Sequence, residues 1–233
     1  MAIKQRRVRK FLSKKIQQLN DIVADLDGLV TEIGFEFYRV CIFGSARIKP
    51  DSHYYNQVKD LAFQLASRGA DIVTGGGPGL MEAANLGAKL ASTQSRSFGL
   101  PIDLPFETDA NSHLDVKYQH RRFSSRLDEF MRMSHAVVIT PGGIGTLLEL
   151  FFTWQLLQVK HIPERPVFLL GKTWWQGFID WLKTAALKER LVDQEDINRL
   201  IIVDSVDEIM NHLEPFIKAF QADRVTRKDD DIS

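Results

Sequence analysis

One cysteine, Cys41, in a chain of 233 residues leaves no partner for an intrachain disulfide and no thiolate set for a zinc cluster. No apolar run approaches the roughly 18 residues a membrane-crossing helix needs. No short apolar leader stands at the N-terminus either. Charge of one sign is not in excess: Lys and Arg total 30, and Asp and Glu total 30. A whole-molecule basic field for nucleic acid or an anionic membrane surface is therefore not expected. His, Asp and Glu nowhere recur at metal-ligand spacing, so no catalytic metal and no other cofactor is expected. His120, His135 and His161 stand alone. The expectation is a cytoplasmic protein of a reducing compartment. With 44% hydrophobic and 26% charged residues, the composition is that of an ordered globular domain.

The N-terminal stretch is basic, with Lys4, Arg6, Arg7, Arg9, Lys10, Lys14 and Lys15 and no acid among them. Leu12, Ile16, Leu19, Val23, Leu26, Val30 and Ile33 recur at spacings of four and three, which predicts an amphipathic helix over residues 1–36. Its stripe must bury against the body or against a second subunit. Beyond Gly34 the period changes. Short apolar strands are predicted at 38–43, 70–74, 97–102, 136–140, 167–170 and 200–203. Helices are predicted at 54–67, 81–91, 121–133, from the 141–146 loop to about 159, at 174–187 and at 206–220. Strands apolar throughout, alternating with helices, mean a parallel sheet covered on both faces. The fold class is a Rossmann-like, doubly wound α/β domain over 37–221 with extra terminal helices, and 222–233 reads as a frayed tail.

In such sheets ligands bind beyond the carboxyl ends of the strands. Three glycine-rich segments stand there: Phe43-Gly44-Ser45, Thr74 to Gly79 and Thr140 to Thr146. Glycine lets main-chain N–H groups approach a ligand, and a helix N-terminus adds roughly half a positive charge, so a phosphate is the natural guest. Neither the dinucleotide-binding glycine spacing nor the P-loop ending is present. Glu149 has two readings. It fits a capping box with Thr146, and it fits a functional carboxylate. Arg126 stands in a helix with Arg121 and Arg122 as equal candidates.

The set GGGPGLMEAANLGA (75–88), LPFE (104–107), RRFSSRLDEFM (121–131) and PGGIGTLLEL (141–150) resembles the LOG family. Members are cytokinin riboside 5′-monophosphate phosphoribohydrolases, with bacterial relatives that act as purine or pyrimidine nucleotide nucleosidases. Many carried the older label "possible lysine decarboxylase". The similarity runs over about residues 38–205. It implies a Rossmann-like homodimer, or a higher homo-oligomer, that hydrolyses the N-glycosidic bond of a nucleoside 5′-monophosphate. AMP or a cytokinin nucleotide would be the substrate, the latter in cytokinin biosynthesis. It further implies a catalytic pair at Arg126 and Glu149. Substrate contacts fall on Glu107, Gly142, Gly143, Gly145 and Thr146, with Gly44, Ser45, Gly76 and Gly77 on the neighbouring loops. Two positions depart from the family: Leu127 and Leu148 stand where a basic and an acidic residue are frequent. The alternative is a non-catalytic nucleotide or cofactor carrier. A decarboxylase is disfavoured, because that chemistry needs a Schiff-base lysine and the glycine loops contain none.

Overall fold

A computed structural model describes residues 11–16, 19, 37–103 and 110–230, the side chains of 225–230 apart. The chain divides into two compact units, Met1–Glu36 and Phe37–Ser233. In the first, residues 11–16 and 19 are helical, and Phe11, Leu12, Ile16 and Leu19 are exposed. The rest of the predicted stripe, Val23 to Ile33, lies outside the described residues, as does Glu107.

The second unit is built on a seven-stranded, wholly parallel sheet. Its strands are β1 Tyr38–Phe43, β2 Ala70–Thr74, β3 Ser97–Gly99, β4 Val116–Lys117, β5 Ala136–Ile139, β6 Val167–Leu170 and β7 Leu200–Val203, in the spatial order β4-β3-β2-β1-β5-β6-β7. The helices are α1 His53–Ser67, α2 Leu80–Leu90, α3 Phe123–Met133, α4 Ile144–Gln158, α5 Lys172–Trp181, α6 Gln194–Asn198 and α7 Val206–Asp230, with a π-helical turn at Leu182–Leu187 extending α5.

Every residue of β1 is buried, because alternate side chains enter two cores. Val40 and Ile42 pack with Val58, Leu61 and Leu65 of α1, Ala83 and Ala84 of α2 and Ile209 and Leu213 of α7. Cys41 and Phe43 pack with Phe130 and Met133 of α3, Leu150 and Trp154 of α4 and Ile179 of α5. Polar side chains line the amino ends of the strands: Arg39 meets Asp71 at 3.3 Å, and His135 Nδ1 accepts from Arg39 N at 2.9 Å. Among the described residues no helix is long and apolar enough to cross a membrane.

The chain departs from the sequence expectation at four places. The third strand stops at Gly99, since Pro101 has no N–H to give the ladder, and Ile102 only bridges to His120. Residues 116–117 form an unforeseen seventh strand, too short to show alternation. The short α6 was also missed, although Asp193 and Asp196 form a reciprocal capping box there. The last helix runs past Phe220 to Asp230, so the 222–233 tail is not frayed throughout. No Gly or Pro follows Pro215 to interrupt it, and its Ala, Gln, Lys and Arg residues favour helix.

Candidate active site

The chain leaves β1 toward β2 on one side and later enters β5 on the other. The carboxyl ends of β1 and β5 therefore flank the point where the winding reverses, the place at which open α/β sheets form a crevice. Gly44-Ser45 and the 140–146 loop meet there: Ser45 N donates to Pro141 O at 3.1 Å. The β2 turn joins them, since Leu80 N donates to Ser45 O at 2.9 Å. A Cβ at Gly44 would collide with Thr140 and Leu80, so the β1 loop passes tightly beneath its neighbours. Ser45 Oγ accepts from Arg47 N at 3.1 Å and shapes its own turn.

Helix α4 starts at Ile144 with Gly143 as its N-cap, and no side chain caps it. Thr146 is thus the third helical residue, not the cap. It is buried, packed against Gly142, where a Cβ would collide with it. Gly143 and Gly145 face open space. This register removes the capping-box reading of Glu149, which lies further along α4 and turns inward. Its side chain is 12% exposed, and its carboxylate Oε1 lies 3.7 Å from Arg126 Nη1. Of the three candidate arginines on or before α3, only Arg126 points into the crevice. Arg121 lies on the surface near Asp103, and Arg122 is exposed.

Arg126 is fixed from several sides. Its Nε donates to Leu100 O at 2.6 Å, at the end of β3. Its guanidinium carbon stands 5.1 Å from the centre of the Phe130 ring. Its Nη2 lies so close over Gly75 that a Cβ there would strike it, and Met81 Sδ crowds the same spot. Burial pushes the Glu149 carboxyl up to about 7, with the Arg126 guanidinium pulling the other way. Beneath the pair, the buried Cys41 thiol is held well above its ordinary range, first by burial and then by the Glu149 charge.

The structure thus brings Arg126, Glu149, Gly44, Ser45, Gly142, Gly143, Gly145 and Thr146 to one edge of the sheet, with Gly76 and Gly77 on the adjoining turn. Gly76 has φ +74°, and its N donates to Thr74 Oγ1 at 2.9 Å. The departures sort by environment: Leu127 is buried in the core, whereas Leu148 is exposed beside Ile144 and Phe151 on the outer face of α4. Among the described residues no group of His, Cys, Asp and Glu could hold a metal ion. Sequence reasoning missed Asn85 and Asn111, which tie the β2 turn to its surroundings. Asn85 stands within the 75–88 segment but carries no chemistry legible from its position there, and Asn111 lies outside every motif.

The family described as "Possible lysine decarboxylase" matches residues 81–213, more than half of the chain. A cytokinin riboside 5′-monophosphate phosphoribohydrolase of Arabidopsis thaliana is 28% identical over 188 residues, 78% of this chain and 84% of that protein. The pyrimidine/purine nucleotide 5′-monophosphate nucleosidase of Escherichia coli strain K12 is 31% identical over 141 residues, 57% of this chain and 30% of that longer protein. Among solved structures, the molybdenum cofactor binding protein of Rippkaea orientalis shares the fold. Its TM-score is 0.58 at 20% identity, over 79% of this chain and 99% of that one.

Proposed function

Because the chain belongs to the LOG family, whose model carries the description "Possible lysine decarboxylase", we propose that it hydrolyses the N-glycosidic bond of a nucleoside 5′-monophosphate, releasing the free base and ribose 5-phosphate. The observation that carries this reading is the Arg126–Glu149 contact, 3.7 Å at the sheet's carboxyl edge, beside a helix start that no side chain caps.

Breaking the bond between base and ribose leaves positive charge on the sugar ring. A carboxylate beside the ring stabilises that charge and orients or deprotonates the attacking water. Glu149 suits this role. A guanidinium cannot act as a base, so Arg126 serves as a fixed cation that binds ligand and orients the carboxylate. The Gly142–Thr146 loop would hold the 5′-phosphate, with room at Gly143 and Gly145 for its oxygens. The base would be that of AMP or of a cytokinin riboside monophosphate. A carboxyl titrating near 7 makes turnover rise as pH passes through neutrality.

We place the protein in the cytoplasm as a homodimer. The exposed apolar face of Ile144, Leu148 and Phe151 supports a second copy, and light scattering reads the mass. A nucleotide carrier on the same fold would bind AMP without consuming it. The deciding experiment incubates the protein with a panel of nucleoside monophosphates and separates free base by chromatography. Base release that disappears in Glu149→Gln, with nucleotide binding retained, supports the hydrolase. Unchanged release in that variant refutes the assignment of Glu149.

A further inference from the structure

The hydrogen bonds around Asn111 form a set that the chemistry above leaves unused. Its main-chain N–H donates to Gly76 O at 2.8 Å. Its amide Nδ2 lies 3.1 Å from Gly76 O, 3.0 Å from Gly77 O and 3.0 Å from Asn85 Oδ1. Its Oδ1 accepts from His113 N at 3.1 Å. Asn85, fully buried on α2, accepts from Thr74 Oγ1 at 2.7 Å and donates to Ser97 Oγ at 2.8 Å. Three acceptors converge on one amide that can only donate to them, which suits asparagine and repels a carboxylate.

The turn held in this way is intrinsically soft. It contains Gly75, Gly76 and Gly77 in succession, and Gly76 has positive φ. Yet Gly75 forms the floor under the Arg126 guanidinium. A shift of that floor moves the cation relative to Glu149.

We propose that Asn111 is a positioning residue: by clamping the Gly76 and Gly77 carbonyls it fixes Gly75 beneath Arg126, and so sets the separation of Arg126 from Glu149. The proposal rests on the reading of that pair as the working groups, and Asn111 acts through the turn, not on substrate.

Arg126 from α3 is the charged group that acts on the Glu149 carboxyl, while the Cys41 thiol of β1, raised by burial and by the Glu149 charge, stays neutral. Loosening Arg126 withdraws its stabilising influence. The test follows the carboxyl by 13C NMR in protein with labelled glutamate, the signal identified by its loss in Glu149→Gln. In Asn111→Ala the Glu149 midpoint rises by about one pH unit, the lower end of what an opposite charge at this distance contributes. Gly75→Ala, which displaces the guanidinium from the other side, moves it the same way. Tyr38→Phe removes a 3.3 Å hydrogen bond at the far end of β1 and leaves the midpoint in place, as any general loss of stability would. Base release from AMP, measured on the same proteins, falls about tenfold in kcat/KM in both shifted variants, the effect of losing roughly 1.4 kcal/mol of barrier lowering. If wild-type protein releases no base, the hydrolase reading fails while the titration still decides the clamp. A folded Asn111→Ala protein whose Glu149 titrates at the wild-type value overturns the proposal. Asn111→Ser, read by the same titration, stands in if the alanine variant does not fold.

Discussion

Replacing Glu149 by glutamine should abolish turnover and make the protein progressively more stable relative to wild type as the pH rises from acid to alkaline. The carboxyl is raised from 4.5 to about 7 in the folded chain, mainly by burial. A carboxylic acid whose folded value lies above its unfolded one favours folding below about 4.5, and that contribution is lost as pH rises through 7. Each unit of displacement is worth 1.36 kcal/mol. Between pH 5 and pH 8.5 the wild-type chain therefore loses about 2.5 kcal/mol through this one group. Glutamine keeps the shape and does not titrate. Its own effect, including the unpaired guanidinium left at Arg126, is the same at both pH values and cancels in the difference. In a domain of this size 1 kcal/mol corresponds to roughly 2–4 °C. The Glu149→Gln melting temperature, relative to wild type, should thus climb by about 5–10 °C from pH 5 to pH 8.5. Thermal unfolding of both proteins across that range measures it. Parallel curves for the two proteins would show that Glu149 is an ordinary solvated carboxylate, and the reasoning about its burial would be wrong.

Further tests address other parts of the molecule. Gly75→Ala should lose base-releasing activity by about tenfold or more while unfolding close to wild type, because the added methyl meets the flexible side chains of Arg126 and Met81 and not main chain; wild-type turnover would show that Arg126 is not held there. Gly143→Asp faces open space, so the fold should persist, while the new charge at the α4 start should raise KM for a nucleoside monophosphate at least several-fold and leave its unphosphorylated nucleoside unaffected; equal effects on both would remove the phosphate from that loop. His135 is partly buried and neutral, its value lowered to about 4, chiefly by burial and then by Arg165 and Arg39. Its contribution to folding is present above about 6.5 and is lost as pH falls toward 4, by about 3 kcal/mol in total. His135→Asn, whose side-chain oxygen can accept from Arg39 N in place of Nδ1, should flatten that acid limb in denaturant unfolding followed from pH 7 to pH 4.

The alternation of strands and helices was readable because a parallel sheet covered on both faces writes its strands as unbroken apolar runs, as in Tyr38–Phe43 and Val167–Leu170. Val116–Lys117 left no such trace, since two residues carry no period. Periodicity likewise could not fix the register of α4. Thr146 and Glu149 have capping-box spacing, and only the helix start at Ile144 shows that Thr146 is inside the helix and Glu149 is free to face Arg126. The residues alone left Arg121 and Arg122 as equal candidates, and the family resemblance pointed to Arg126; in the structure Leu127 and Phe130 are buried and Arg126 lies at the rim of that face, where it reaches Leu100 O. Asn111 was out of reach of sequence reading. Its significance comes from three acceptors supplied by a distant turn and a neighbouring helix, and no local pattern encodes that convergence.

Helix α4 begins on glycine with no side chain closing its first turn, an arrangement that leaves the peptide groups there to whatever arrives from solution. A bound anion would then finish the helix as much as the helix holds the anion. The empty protein would fray at this corner, and inorganic phosphate by itself, with no sugar or base attached, would slow amide exchange at residues 144–146 before any other part of the crevice responded.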